Sequence, residues 1–192
     1  MHIQFEKWRK PTTMVLAVFW FLGAFVIDSR WKEDSPIGLS LLALGYMFTS
    51  IGVLGRIWCL SYIAGRKTEE LVVEGPYSLC RNPLYFFSLL GVIGVGLGSS
   101  TLIFPLIVFL AFVAYYPGVV TSEARRLAAI HGESFHAYQQ STPALVPSRM
   151  HFHESEKQLI DCRAFRRGLF DSIWFFVGLA NMHIFAELQH CC

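Results

Sequence analysis

Residues 71–96 read LVVEGPYSLCRNPLYFFSLLGVIGVG and join a polar turn to the start of an apolar helix. The pair Gly75-Pro76 is a typical turn sequence. The Asn82-Pro83 step places a conformationally restricted residue before a proline, and proline is favoured at the first position of a helix. The sequence therefore predicts a polar loop that ends where a membrane-entering helix begins.

The composition of the whole chain favours a membrane protein. Of its 192 residues, 54% are hydrophobic and 16% are charged, and the mean hydropathy is positive. Soluble domains contain about 45–50% apolar and about 25% charged residues, so the deviation points to contact with a lipid bilayer. A net charge of only +2 argues against a protein that coats nucleic acid, and no nucleic-acid partner is expected.

Apolar runs predict an all-α fold, a polytopic transmembrane bundle of four to five spans that forms a single integral membrane domain over residues 1–192. The predicted spans cover residues 13–27, 37–57, 84–97, 102–120 and 168–188. The first run has no signal-peptide cleavage site and is interpreted as a helix. The last run contains charged and polar residues, so a full span and an interfacial helix both stay open.

Residues 122–140 predict an amphipathic cytoplasmic helix after the fourth span. Gly132 lies inside the pattern and disfavours a continuous helix, and the prolines at positions 143 and 147 end it. The side chains expected on its apolar face are Ala124, Leu127, Ala128, His131, Phe135 and Tyr138.

Lysine and arginine positions predict the orientation of the bundle. Basic residues are frequent before residue 13, between residues 56 and 81, and after residue 120, and they are absent from the turn near Gly98. We therefore expect the N-terminus, the 61–83 loop and the region after residue 120 to be cytoplasmic, in the inner or plasma membrane of a bacterium. The two polar segments would then share one face and build a site within residues 61–147.

Two tyrosines flank the turn that precedes the third span. Tyr77 and Tyr85 lie on either side of Arg81, beside a helix start with free backbone N–H groups. Such groups suit the polar edges of a nucleotide, with aromatic rings against its base. The alternative is that these three side chains are ordinary anchors at the membrane interface.

The motifs together resemble the isoprenylcysteine carboxyl methyltransferase and phospholipid N-methyltransferase group of membrane methyltransferases. The resemblance covers residues 50–147 and rests on a G-x-Y-x-x-x-R-x-P-x-Y signature followed by a glutamate and a G-E-x-F-x-x-Y pattern. The matching residues are Gly75, Tyr77, Arg81, Pro83, Tyr85, Glu123, Gly132, Glu133, Phe135, Tyr138 and Pro147. The resemblance implies that S-adenosyl-L-methionine is the cofactor and that a methyl group is transferred.

The resemblance also implies a cofactor site on this chain. The implied residues are Leu71, Val72, Tyr77, Arg81, Asn82, Pro83, Tyr85 and Glu123. Glu123 would meet the cofactor's ammonium group, and Arg81 would contact the cofactor carboxylate or a substrate anion. No residue is assigned as a catalytic base, and no metal is implied.

The sequence departs from this family pattern at two positions. Asn82 replaces the histidine of the usual R-H-P turn, and because an amide does not titrate, the change disfavours a proton-shuttling role there. Val119 replaces an arginine of the carboxyl methyltransferase branch, and this replacement argues against an isoprenylcysteine substrate. The acceptor is left as a lipophilic or small molecule with a carboxylate, thiol or amine. Gly94-x-Gly96 matches a cofactor motif of the phospholipid branch, but helix packing is the favoured interpretation.

Two other functions stay open from the sequence. A membrane reductase that uses NADPH, similar to sterol reductases, has a similar turn but many more spans. A non-catalytic transporter or scaffold would leave the clustered tyrosines and charges unexplained. His153 and Glu154 with a second histidine at 151 are interpreted as a solvated loop rather than a metal site.

Overall fold

A computed structural model describes residues 35–66, 70–148 and 152–191, with side chains described to residue 188. These residues are helical or irregular, with no strand among them. The helices are α1 (Pro36–Ile63), α2 (Pro76–Leu79), α3 (Pro83–Leu97), α4 (Ile103–His131), α5 (Glu133–Ser141) and α6 (Cys162–Cys191). The span predicted at 13–27 lies outside the described residues.

Three of these helices are long and apolar enough to cross a membrane: α1, α4 and residues 162–188 of α6. The helix α3 is apolar but shorter. The predicted runs at 37–57 and 168–188 lie within α1 and α6, and the run at 102–120 begins one residue before α4; all three helices extend beyond the predicted C-terminal limits. The length and hydropathy of α6 are those of a spanning helix, which favours the first of its two interpretations. Pro83 occupies the first turn of α3, as predicted.

Helices α1 and α3 approach each other along a line of glycines, which we call the glycine seam (Gly45, Gly52, Gly91 and Gly94). A Cβ atom on Gly52 would lie 2.6 Å from the backbone N and Cα of Gly91. A Cβ atom on Gly94 would lie 2.5 Å from the backbone N of Thr49. Because the backbones are nearly in contact, side chains are excluded there, and Gly94 serves helix packing.

Helix α6 closes the bundle against both α1 and α3. Leu179 and Met182 of α6 are buried in a cluster with Val95 of α3 and Phe104 of α4. The outer side of α4 has many exposed apolar side chains, including Leu106 and Leu110. On a helix of this length and hydropathy, such side chains are expected to face lipid. The pair α1–α3 is therefore the centre of the bundle, with α4 and α6 packed onto it.

The prediction of one amphipathic helix over residues 122–140 is wrong in its continuity. Helix α4 continues through Pro117 to His131, so the first half of the predicted helix extends the fourth apolar run. Gly132 adopts a positive φ of 53°, and its N–H donates to the carbonyl of Ala128 at 2.9 Å. This conformation is readily adopted only by glycine, and it ends α4 and begins α5. Phe135 and Tyr138 are buried, as the pattern predicted.

Candidate functional site

The site loop, residues 70–82, turns at Gly75 with a positive φ of 58°. A Cβ atom there would lie 2.4 Å from the ring of Tyr62 on α1. The N–H of Gly75 donates to the carbonyl of His153 at 2.9 Å. Glycine is therefore required both by the backbone conformation and by the close approach of the tyrosine ring.

The end of the site loop is hydrogen-bonded to the segment that follows α5. The backbone N–H of Arg81 donates to the carbonyl of Pro143 at 2.8 Å, and its Nε donates to the carbonyl of Thr142 at 3.0 Å. The side-chain amide of Asn82 donates to the carbonyl of Ala144 at 2.9 Å. The two polar segments that the sequence placed on one face are thus in direct contact. Asn82 holds the turn, a role that its amide can fill without titrating.

A second contact comes from the C-terminal linker, residues 152–161. Hydrogen bonds join Tyr62 to Glu154 and Ser155 to Glu74. The side chain of His153 is exposed, as expected for a solvated loop, but its backbone is bound to Gly75. In the described ranges, no group of three or more His, Cys, Asp or Glu side chains is placed to hold a metal ion. The linker therefore supports the site loop.

A cavity of about 550 Å³ lies between the site loop and helices α1, α3 and α4. Its volume is within the usual range for small-molecule sites, about 300–1,000 Å³. Pro83 is buried at the start of α3 and does not line the cavity. Seven of the eight residues implied by the family resemblance do line it: Leu71, Val72, Tyr77, Arg81, Asn82, Tyr85 and Glu123.

An aromatic wall and a carboxylate meet inside this cavity. The hydroxyl of Tyr85 donates to Oε2 of Glu123 at 3.3 Å. The ring of Tyr116 packs edge-on to Tyr85 with 5.8 Å between centroids, and it stacks on Phe112 at 4.7 Å. Glu123 is half-buried at this wall, where a positive group of a ligand would find both charge and aromatic surface.

Tyr77 contributes a buried hydroxyl with unused hydrogen-bonding capacity. Its side chain is 7% exposed, and within the described part of the chain its oxygen has no hydrogen-bond partner. Burial raises the pKa of Tyr77 well above its usual value, so the hydroxyl is protonated and can donate. An unsatisfied buried hydroxyl costs free energy, and a ligand with an acceptor atom would recover it.

Two neighbouring groups stay neutral for the same reason. Burial raises the pKa of the Cys80 thiol to about 11, so the thiol is protonated at neutral pH and is a weak nucleophile. Burial also raises the pKa of Tyr138, whose hydroxyl donates to the carbonyl of Tyr77 at 2.7 Å. Tyr138 thereby fixes the backbone that carries Tyr77.

Several lining residues were not predicted from the sequence. Arg56 of α1, Ser88 of α3 and Arg126 of α4 line the same cavity. Arg56 was counted only among the basic residues that orient the chain. The signal that could have found it is a single arginine inside an otherwise apolar helix.

The fold and cavity define a class: a helical membrane protein with a small-molecule cavity at the junction of its polar loops and its apolar helices. Within this class the chain belongs to the phospholipid methyltransferase family, whose model matches residues 35–134. The family expected from the motifs is confirmed.

Two relatives share most of the chain. It is 40% identical over 183 residues to the cobalt-zinc-cadmium resistance protein CzcN of Cupriavidus metallidurans, which covers 95% of this chain and 81% of the relative. It is 36% identical over 168 residues to the nickel-cobalt-cadmium resistance protein NccN of Alcaligenes xylosoxydans xylosoxydans, with coverage of 88% and 76%. No solved structure matches the chain significantly.

Proposed function

We propose that this protein is a membrane-embedded methyltransferase that uses S-adenosyl-L-methionine and methylates a lipophilic or small acceptor. The observation that carries the proposal is the shared cavity. One cavity is lined by residues from the site loop, from α3 and from the C-terminal part of α4, although Leu71 and Glu123 are 52 positions apart in the sequence. Family membership supports the methyltransferase over an NADPH-dependent reductase and over a transporter or scaffold.

The donor and acceptor groups of the cavity fit the cofactor. Glu123 would pair with its ammonium group, and the partly buried position would strengthen that pairing. The Tyr77 hydroxyl, which lacks a described partner, would donate to an acceptor atom of the cofactor. Arg81 would contribute a cation for its carboxylate, and the apolar side chains of Leu71 and Val72 would pack on the adenine.

Bound in this way, S-adenosyl-L-methionine would supply a methyl group on a sulfonium that is ready for in-line transfer. The chain's own contribution would be positioning and exclusion of water. The aromatic wall of Phe112, Tyr116 and Tyr85 would exclude water on one side of the cavity. The hydrogen bonds between the site loop and the residues after α5 would keep water out on another side.

Calorimetric titration of S-adenosyl-L-methionine into detergent-purified full-length protein tests the proposal. We expect binding by the native protein and a loss of about tenfold to a hundredfold in affinity for Glu123→Ala. Glu133→Ala is the matched control, because Glu133 is an exposed acid on α5 outside the cavity. Tyr85→Ala should also weaken binding, and Tyr46→Ala, an exposed tyrosine on α1, should not.

The outcomes separate the class of function from the site. No binding of the cofactor by native protein would contradict the methyltransferase. Binding of NADPH instead would favour the reductase. Normal binding by both Tyr85→Ala and Glu123→Ala would retain the class and contradict the assigned site.

We further propose that the methyltransferase acts in resistance to transition metals, the property for which its two relatives are named. Cells that express the native chain should tolerate more cobalt or cadmium than cells that express Glu123→Ala at equal protein level. Equal metal tolerance of the two strains would show that resistance does not depend on the cofactor site.

A further inference from the structure

Arg56 places a cation within the apolar part of the bundle. It lies seven residues before the end of α1 at Ile63, and at 1.5 Å per residue this is about 10 Å inside that end. A charged side chain at such a position in a spanning helix is costly unless its charge and its donors are satisfied. The groups around Arg56 show how it is held.

Two serines from two other helices fix the guanidinium. Its Nη1 donates to the hydroxyl of Ser88 on α3, and its Nε donates to the hydroxyl of Ser172 on α6 at 3.2 Å. The ring of Phe175 lies 5.3 Å from the central carbon of the guanidinium and covers one of its faces. Helices α3 and α6 therefore fix the position of this side chain of α1.

The serines orient Arg56 without neutralising it. Ser88 Oγ donates to the carbonyl of Leu84 at 2.6 Å, and Ser172 Oγ donates to the carbonyl of Gly168 at 2.8 Å. Each serine hydroxyl thus donates its hydrogen bond to a carbonyl of its own helix and accepts a hydrogen bond from Arg56. These two contacts use two of the five guanidinium donors and add no negative charge.

No carboxylate of the described residues makes a hydrogen bond or an ion pair with Arg56. Asp171 precedes Ser172 on α6 and interacts electrostatically with the guanidinium, but its side chain is exposed and forms no ion pair with Arg56. The acids that line the cavity, Glu70 and Glu123, belong to the site loop and to the end of α4. Apolar side chains of α3 and α4 also line the cavity, among them Leu89, Val92 and Phe112.

We propose that Arg56 binds the anionic group of an amphiphile, a carboxylate or a phosphate, whose apolar part lies along this apolar lining. A guanidinium with free donors matches both anions in two-pronged geometry, and a low-dielectric surrounding strengthens the contact. The ligand is identified as the methyl acceptor only if the proposed function holds. The anion site itself does not depend on it.

Short-chain amphiphiles test the anion site in full-length protein purified in an uncharged detergent. The probes are octanoate, octyl phosphate and octanol, titrated by calorimetry. We expect both anions to bind at least about tenfold more tightly than octanol, as a charge-assisted contact implies. Arg56→Gln should reduce the affinity for the anions to about that for octanol. A preference for octyl phosphate indicates a lipid phosphate, and a preference for octanoate indicates a carboxylate.

Control variants keep the test decisive. Arg125→Gln makes the same change of charge at an exposed position outside the cavity and should leave anion affinity within about twofold. Ser172→Ala removes one positioning contact and should weaken octanoate binding severalfold with little change in thermal stability. Arg56→Lys keeps the positive charge but loses the paired donors of the guanidinium, so we expect an octanoate affinity between those of the native protein and Arg56→Gln. If Arg56→Gln does not fold, these two variants decide the outcome.

Three results would overturn the proposal. The first is equal binding of octanol and octanoate by the native protein. The second is normal octanoate binding by Arg56→Gln or, where that variant does not fold, by both Ser172→Ala and Arg56→Lys. The third is weaker octanoate binding by Asp171→Asn. The last variant removes a neighbouring negative charge, so unchanged or higher affinity is expected. Titration of S-adenosyl-L-methionine in parallel distinguishes the two proposals. Binding of octanoate without binding of the cofactor contradicts only the proposed function. Binding of the cofactor without binding of octanoate contradicts only the anion site.

Discussion

The glycine seam and the site loop are held together by opposite means. In the seam, backbone meets backbone and the absence of side chains permits the approach of α1 to α3. In the site loop, side chains of Arg81, Asn82 and Tyr138 donate to main-chain carbonyls of segments about 60 positions away. The seam therefore tolerates no added atoms, whereas the loop depends on individual hydrogen bonds that can be removed one at a time.

The largest expected effect is in the seam. Gly52→Ala places a methyl group against the backbone of Gly91, which cannot move away as a flexible side chain would. Overpacking of this kind costs about 1–3 kcal/mol or more, so the midpoint of thermal unfolding in detergent should fall by several degrees. The matched control is Gly118→Ala in α4, where an added Cβ atom meets nothing within 4 Å. It should be neutral or slightly stabilising, and equal losses in the two variants would show that the seam is looser than described.

A smaller effect is expected where the loop is tied to α5. Tyr138→Phe removes the donor to the carbonyl of Tyr77 and leaves that carbonyl without this bond. The free energy of unfolding should fall by about 1 kcal/mol, and cofactor affinity should fall with it because the loop is less fixed. Chemical denaturation followed by circular dichroism measures the first quantity, and calorimetry measures the second. Unchanged values for both would mean that the loop is held elsewhere.

Tyr77→Phe sharpens the comparison, since it removes a hydroxyl that no described residue uses. Stability should be unchanged or slightly higher, because a buried polar atom without a partner is lost. Cofactor affinity should nevertheless fall severalfold if the hydroxyl serves a ligand. A drop in stability equal to that of Tyr138→Phe would show that the hydroxyl has a protein partner.

The smallest expected effect concerns the start of α6. Oδ1 of Asp161 accepts from the N–H groups of Arg163 and Ala164, both at 2.8 Å, and these bonds lower the pKa of the carboxyl. A folded pKa below the unfolded value of about 3.9 gives stability that is present above that value and lost as the pH falls through the folded pKa. The unfolding midpoint of the native protein should decline more than that of Asp161→Asn as the pH is lowered from 5 to 3. Parallel curves would contradict this assignment.

The positions of the helices could be predicted because their signals are local. Proline at the start of α3 and the long apolar runs of α1 and α4 identify helices from neighbouring residues alone. The division between α4 and α5 was harder to predict, because Gly132 leaves the apolar face of the pattern unchanged on both sides of the break. Periodicity records which face is buried and not where the axis changes direction.

The candidate site could be predicted only where a motif named its residues. Tyr85 was noted beside the turn that precedes α3, Glu123 came from the family resemblance, and the structure places them within hydrogen-bonding distance. Arg56 was missed because its partners Ser88 and Ser172 lie 32 and 116 positions away, and nothing in the sequence pairs them. The linker was missed as a support for the loop because its contacts with Gly75 are made by the backbone, which carries no sequence signal.

The contribution of the linker and α6 bears on how the protein is made. Helices α1 and α3 can pair along the glycine seam while the ribosome is still translating the rest of the chain. The hydrogen bond from the N–H of Gly75 to the carbonyl of His153 can form only after the linker has been synthesised. The hydrogen bond from Arg56 to the hydroxyl of Ser172 can form only after α6 has been synthesised. The nascent protein would thus hold an arginine that lacks its contacts with Ser172 and Phe175 until α6 is inserted.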